Sequence, residues 1–587
     1  MLATIQDVAN AHFDYVIMGG GTAGLTVAAR LSEDPSTTVC VLEAGDPNLD
    51  DPQVLTPLLS RGNISNKQYS WDFLTTKQTM CLDKAFPWAR GRGLGGSSAL
   101  NFHVWTKPPA DEIDDWERLG NPGWNWKNYQ KYVHKAERLA VPVAELQEKF
   151  KMPLYEGDIG REGKRVPLSQ LCALALSYPT TISEMEPLMM QALKNAGVPA
   201  APRPYGGDPN GAFWTLASVD QETATRSYAV PAYYLPNQAR PNLTVLTAAH
   251  VTRVASAQDP DGGLTATGVE FLHGGKPYVV HVTKEAILSA GALKSPQILE
   301  LSGIGSRAVL ERAGVEVKVD LPGVGENLQE HIYGGFAWGT FLKPEHADAP
   351  TSGLVDFAFA PLERVAGAAG AQAIYERARA QVAHVADSGL RAQHALQLAR
   401  LRPGAPPAGP VCEIVGVPAP PPALPVARGR ACVSWSYAVN NALSRGYVHI
   451  TSSDPRAEPE FEPRYFDVEA DLDVLLATAK FARNMVQHAP LRDMVARELV
   501  PGPDVQTDAQ LTEFVKKTYS TTWHTCGTCA MLPRRDGGAV DPALLVYGTR
   551  NLRVVDLSVA PLHVSAHTQV YAIAEQAADI IKGVFQP

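Results

Sequence analysis

Cysteine is scarce. The chain has seven in 587 residues, an odd number and too few for a disulfide scaffold. No run of about 18 apolar residues occurs, which excludes a transmembrane helix. Basic residues are in deficit, 52 Lys and Arg against 61 Asp and Glu for a net charge of −9, so no nucleic-acid footprint is present. The opening MLATIQDVANAHFDY has no basic stretch followed by an apolar one, and the final Phe585-Gln586-Pro587 matches no retention or peroxisomal tripeptide. An intracellular location is expected, or a secreted one if a leader was removed. Asn63-Ile-Ser and Asn242-Leu-Thr would accept glycans only in the secreted case.

What is present fits a globular protein with a sizeable core: 45% hydrophobic and 19% charged residues. At roughly 150 residues per domain the length predicts two to four domains. Short β-branched runs predict strands over Leu243–Val254 and Tyr278–Leu288, with a late strand at Leu552–Val555. Helical periodicity runs from about 370 to 400, broken at Ser388-Gly389, and again over Val570–Val584. Prolines crowd Pro403–Pro425 and predict an extended surface connection. No internal repeat is visible.

The N-terminus carries the sharpest local pattern. Phe13–Met18 reads as a strand, Thr22–Leu31 as a helix and Val39–Leu42 as a second strand, a βαβ unit whose right-handed crossover makes the strands parallel neighbours. Between strand and helix stands Gly19-Gly20-Gly21-Thr22-Ala23-Gly24, matching G-x-G-x-x-G. In such a turn Gly19 permits the tight bend, Gly21 lets a pyrophosphate approach the backbone, and Gly24 allows close helix–strand packing. The phosphates meet the free amides of the helix N-terminus. Glu43, at the end of the second strand, is placed to accept ribose hydroxyls. The motif predicts a bound dinucleotide without separating NAD from FAD.

A second loop, Arg90-Gly91-Arg92-Gly93-Leu94-Gly95-Gly96-Ser97-Ser98-Ala99-Leu100-Asn101, is rich in glycine and hydroxyls. Such a loop can bring amides against a flat ring or a diphosphate. With it the chain resembles the glucose–methanol–choline (GMC) flavin oxidoreductases. Four motifs carry the likeness, in the family's order: Gly91 to Trp105, Gly291 to Gly305 (GALKSPQILELSGIG), Pro322 to His331 (PGVGENLQEH), and Asn551 to Ser558 (NLRVVDLS). The resemblance spans about residues 13 to 584.

The resemblance implies an α/β fold with an antiparallel β part: a Rossmann-like FAD-binding domain with a discontinuous substrate-binding domain built on an antiparallel sheet. The expected division is 1–110, 225–331 and 541–587 for the FAD domain, 111–224 for a substrate and lid-like segment, and 332–540 for the substrate domain. It further implies that Glu43 holds the adenosine ribose and Val251 meets the adenine. The Gly93–Ser98 loop and Asn101 lie along the diphosphate and isoalloxazine, and Asp556 lies near the ribityl chain. Gly19, Gly21, Thr22, Ala23, Gly24, Arg92, Gly95, Gly96, Ser97, Phe102, Val104, Leu557, Thr568 and Gln569 complete the expected FAD set. Some members link FAD through a histidine at or beside the position of Asn101; here Leu100 and Asn101 stand there, so a noncovalent flavin is expected. His103 is a departure that either faces the flavin or packs.

Hydride transfer from an alcohol carbon needs a base for the hydroxyl proton and a second group to hold the oxygen. A neutral imidazole suits the first task. His524, in Thr522-Trp-His-Thr-Cys-Gly-Thr-Cys529, resembles the family's catalytic histidine, and His567, 43 residues on, its second His or Asn. His524 is expected as base and His567 as the positioning partner. His563 has metal-pair spacing to His567, but a strand exit after Pro561 is a poor place for a helix, and no metal is expected. Cys526-Gly-Thr-Cys529 matches C-x-x-C without a thioredoxin-like context.

The function expected is FAD-dependent oxidation of an alcohol to an aldehyde, ketone or lactone, the flavin being reoxidised by O2 with formation of H2O2, or by a quinone-type acceptor. Trp105 and Trp523 serve either as an aromatic wall or as core. A primary aromatic or furan alcohol is the expected substrate, a sugar the alternative. A non-redox lyase or cyclase that keeps FAD is the rival, and a binding-only protein the third possibility.

Overall fold

The computed structural model describes residues 2–155, 157–159, 173–340, 356–404, 409–419, 432–565 and 569–587. The helices that matter for the site are α1 (Thr22–Leu31), α2 (Ser295–Leu301), α3 (Leu362–Val382), α4 (Ser388–Leu401), α5 (Ala470–Asn484) and α6 (Gln569–Ile581). Two sheets organise the described chain.

The first sheet has seven strands: β1 (His12–Met18), β2 (Val39–Leu42), β3 (Leu243–Leu246), β4 (Ala249–Gln258), β5 (Leu264–His273), β6 (Lys276–Leu288) and, from near the end of the chain, β13 (Leu552–Val554). Its order is β3-β2-β1-β6-β5-β4, with β13 on β6. β1, β2, β3, β6 and β13 pair in parallel, and β4 and β5 antiparallel. All four residues of β2 are buried, as both faces of an interior parallel strand are covered. α1 buries nearly its whole length, and its Arg30 grips Glu575 of α6 with two bonds of 2.8 and 2.7 Å.

The second sheet has six strands, all antiparallel: β7 (Ile332–Thr340), β8 (Asp356–Ala360), β9 (Cys412–Val417), β10 (Cys432–Val439), β11 (Val495–Val500) and β12 (Ser520–Thr521). The order is β8-β9-β10-β7-β11, with β12 on β7. Alternation sets its faces. Phe336, Ile414, Val433, Trp435 and Tyr437 join Leu475 and Ala479 of α5 in one apolar core. Their neighbours Tyr333, Glu413, Val415, Ser434 and Ser436 turn the other way.

The expected fold is found, with three local corrections. The stretch Leu243–Val254 is two strands, because Ala248 takes a left-handed φ of 52° and breaks the run. The helical interruption lies over 383–387; Ser388-Gly389 instead opens α4, where Asp387 caps by accepting the Leu390 amide. Within the proline-rich stretch, β9 is a buried strand between β8 and β10. Its residues carry no proline, so every amide is free for the ladder; 405–408 and 420–425 lie outside the described residues. Neither glycan triplet is available: Asn63 is buried with its amide on the Gln53 carbonyl (2.7 Å), and Asn242 donates to the Ser32, Asp34 and Thr37 carbonyls. No helix among the described residues is long and apolar enough to cross a membrane.

Candidate active site

A cavity of about 760 Å³ is lined by the β1–α1 turn, the second glycine loop, the start of α6, the outward face of the second sheet and His524. That volume falls within the range of roughly 300–1,000 Å³ typical of ligand and cofactor sites.

The turn is built by exclusion of Cβ atoms. A Cβ on Gly24 would meet the Gly19 carbonyl oxygen at 1.9 Å, so the helix can lie this close to β1 only with glycine there. Gly19 bends at φ +111°. A Cβ on Gly21 would instead touch only Gly96 Cα, at 3.6 Å, and Gly21 lines the cavity. Gly291 (φ +82°) also lines the cavity, and a Cβ there would have no protein neighbour within 4 Å. Ser289 Oγ, buried on the same wall, has no hydrogen-bond partner among the described residues. An open cradle of glycines beside an unsatisfied hydroxyl fits a bound dinucleotide phosphate.

Of the residues expected at the cofactor, Gly19, Gly21, Thr22, Ala23, Glu43, Gly96, Ser97, Asn101, Phe102, Val104, Val251, Asp556, Leu557 and Gln569 line the cavity. Gly24, Arg92, Gly95 and His103 do not. Gly24 is consumed by helix packing. Gly95 gives its amide to the Gly20 carbonyl (2.8 Å), and a Cβ there would stand 2.6 Å from the Tyr228 ring. Arg92 lies over the Trp71 ring at 5.1 Å. The His103 carbonyl accepts the amide and hydroxyl of Ser218 (2.7 and 3.2 Å), and its φ of 66° swings Phe102 and Val104, not the imidazole, toward the cavity. His567 and Thr568 lie outside the described residues.

Both expected cofactor carboxylates already serve the backbone. Glu43 accepts the amides of Gly20, Gly45 and Gly93 at 2.8, 2.9 and 3.0 Å, tying both glycine loops to β2. Asp556 accepts from Gly291 N, Ser295 Oγ and Ser558 N. Burial pushes both carboxyls up, and the amides oppose it. Arg226, which no sequence motif marks, is buried behind the second loop. It bonds the Val54, Ser98 and Asn101 carbonyls and Asn101 Oδ1, and burial lowers its pKa to about 10.

The histidine wall is built from strand pairing. Gln329 and Cys526 exchange both backbone hydrogen bonds (3.1 and 3.0 Å), and Trp523, at φ +61°, turns the chain just before His524. His524 lines the cavity, with Trp523 and Phe102 beside it at a ring separation of 6.3 Å. Trp105 is buried and holds Glu137 with its indole N–H (3.2 Å). Two further imidazoles, His331 and His563, surround His524, and neither was assigned a role from sequence. Among the described residues, His563 contacts the His524 carbonyl and the His331 ring. Glu330 Oε1 accepts the backbone amides of His524 (2.6 Å) and His331 (2.9 Å). Burial raises the Glu330 carboxyl to about 7, opposed by Arg90, whose guanidinium stands 4.0 Å away and bonds Thr525.

Cys526 and Cys529 are free, buried thiols pushed up by burial. Neither is a thiolate, and a Cβ on the intervening Gly527 would stand 2.5 Å from the Asn327 carbonyl oxygen. The motif is a packing element.

A phosphate-cradling turn and an imidazole cluster opening on one cavity define a dinucleotide-dependent oxidoreductase. The chain belongs to the GMC oxidoreductase family, whose N- and C-terminal models match residues 13–333 and 442–575. It is similar to the GMC oxidoreductase family protein Mala s 12 of Malassezia sympodialis, 35% identical over 601 aligned positions covering 98% of this chain and 93% of that protein. A dehydrogenase of Monascus purpureus is 34% identical over 633 positions, covering 99% and 98%. Among solved structures, an FAD-dependent oxidoreductase from Chaetomium thermophilum matches with a TM-score of 0.85 and 27% identity over 97% of this chain and 99% of that one. A fungal aryl-alcohol oxidase matches with a TM-score of 0.84 and 30% identity over the same shares.

Proposed function

We propose that the protein oxidises a primary alcohol at its CH–OH carbon, with His524 as the base. The observation that carries this reading is that His524 shares one cavity with the open cradle at Gly21 and Gly291. FAD, held by the 19–23 turn, Glu43, Gly96, Ser97, Asn101, Val251, Asp556, Leu557 and Gln569, supplies the acceptor for the hydride. Leu100 and Asn101 offer no imidazole for a covalent link, so the flavin is held noncovalently. O2 or a quinone-type compound takes the electrons onward.

The chain's own part is proton removal and orientation. His524 accepts the hydroxyl proton, and the left-handed turn at Trp523 fixes its imidazole against the cavity. Trp523, Phe102 and Phe357 give flat apolar walls that orient an aromatic or furan ring. His567 is assigned, from the family resemblance, to hold the substrate oxygen. A sugar is the second reading, favoured by Ser434, Ser436 and Glu413 on the sheet face of the same cavity.

An anaerobic panel of aryl, furfuryl and sugar alcohols tests both readings, followed by loss of the oxidised-flavin absorbance. The aryl and furan alcohols should bleach it, and His524→Ala should slow bleaching by about 10²- to 10⁴-fold with flavin retained. A spectrum unmoved by every alcohol overturns the oxidation reading and leaves the non-redox one.

A further inference from the structure

Behind His524 stands a second imidazole that does not reach the cavity. Two residues on from the isolated Gln329–Cys526 bridge, His331 and His524 bring their rings edge to face, centroids 5.3 Å apart. Their Nδ1 atoms are 3.2 Å apart. That bond requires one ring to carry its proton on Nδ1 and the other to present a bare Nδ1. His331 is 1% exposed and absent from the cavity wall. Its ring stacks on His563, centroids 3.7 Å apart and planes at 29°. His563 Nε2 lies 2.7 Å from the His524 carbonyl. A carbonyl only accepts, so Nε2 carries the proton, and in the neutral ring Nδ1 takes the Val564 amide at 2.8 Å. His563 thus locks the His524 backbone and stacks against His331.

Resting on the reading of His524 as base, we propose that His331 is its proton-holding partner: as His524 Nε2 takes the substrate's hydroxyl proton, the proton on His524 Nδ1 crosses to His331 Nδ1. The substrate O–H and the His524 Nδ1–H bonds break, and N–H bonds form at His524 Nε2 and His331 Nδ1. His524 stays neutral, and the positive charge moves from the cavity wall into the interior. No oxidant or reductant enters this step.

The groups facing His331 suit a transient cation. His524 faces it from the segment after β12, His563 from the loop before α6, and Glu330 is its chain neighbour, with Arg90 reaching that carboxylate. Tyr465 and Cys526 also face Glu330. Glu330 is poised near neutrality by burial, so a positive charge arriving on His331 favours its ionised form. Such a cluster titrates as a unit, not as separate residues. The proton is kept out of solvent for the acceptor's half of the cycle.

Histidine-selective ¹⁵N NMR of the flavin-loaded wild type, titrated through neutral pH, tests this directly. His331 and His524 should titrate as a coupled pair in two steps, and His331→Gln should remove one step and displace the other. In the same variant, with flavin content unchanged, kcat should fall by about 10- to 100-fold with KM moving less than about threefold, and the acid limb of the pH profile should shift. Independent titration of the two wild-type rings overturns the proposal, even if His331→Gln does not fold. A wild-type kcat and pH profile in a folded His331→Gln overturns it equally. If His524→Ala is inactive while His331→Gln is normal, only the proton-holding role falls; if His524→Ala keeps full activity, the base reading falls with it.

Discussion

The two sides of the cavity are made of different material. The dinucleotide side is backbone: glycines whose absent side chains leave room, and carboxylates occupied by amides. The histidine side is side chains: three imidazoles, a carboxylate and a guanidinium drawn from four separate stretches of the chain, around residues 90, 330, 524 and 563. The first depends on space, for its own packing at Gly24 and for a ligand at Gly21 and Gly291; the second depends on charge. A substitution on one side should therefore act through sterics and be indifferent to pH, and on the other it should do the reverse.

Three substitutions separate the two sides. The largest effect is expected from Gly24→Ala. Its Cβ would overlap the Gly19 carbonyl, and the helix–strand contact should lose about 3 kcal/mol or more at every pH, read from thermal unfolding of the apoprotein and from flavin content.

Glu330→Gln should show the opposite signature. The Glu330 carboxyl is raised in the folded protein from 4.5 to about 7. Its protonated form therefore contributes stability that is full below about pH 4.5 and is lost as pH rises through about 7. The neutral amide escapes that loss. The stability of the variant relative to wild type should climb across this window, with a slope of up to about 1.4 kcal/mol per pH unit. A difference that stays flat with pH would show that Glu330 does not titrate there.

The smallest effect on the fold is expected from Gly21→Ala, the sharpest test of the backbone side. Its Cβ meets only Gly96 Cα at an ordinary distance, so apoprotein stability should stay within about 0.5 kcal/mol. Flavin binding should weaken by about tenfold or more, the equivalent of roughly 1.4 kcal/mol. Unchanged flavin affinity would place the phosphates elsewhere.

This difference also explains what was legible in sequence. Glycine spacing encodes backbone geometry locally, so the 19–24 turn, α1, β2 and most of the expected cofactor residues on the cavity wall follow from short motifs. Gly24, Gly95, Arg92 and His103 belong to the same motifs yet leave the cavity, because a motif fixes the path of a loop and not which atoms it turns inward. The histidine cluster obeys a different rule. His331 and His524 are 193 positions apart, and only the tertiary contact between their two segments brings them together. Glu330 and Arg226 were invisible for the same reason: a buried ion has meaning only through partners that the linear order does not mark. Proline density misled at β9, where a proline-free strand lies within a proline-rich stretch.

The placing of β13 has a consequence for synthesis. Leu552–Val554 completes β6 of the sheet that the first strands of the chain begin, and Glu575 of α6 clasps Arg30 of α1. A nascent chain therefore carries the open edge of β6 for nearly half its translation. The unit started first is closed last, and a message cut short before that strand leaves an adhesive edge where the finished protein has none.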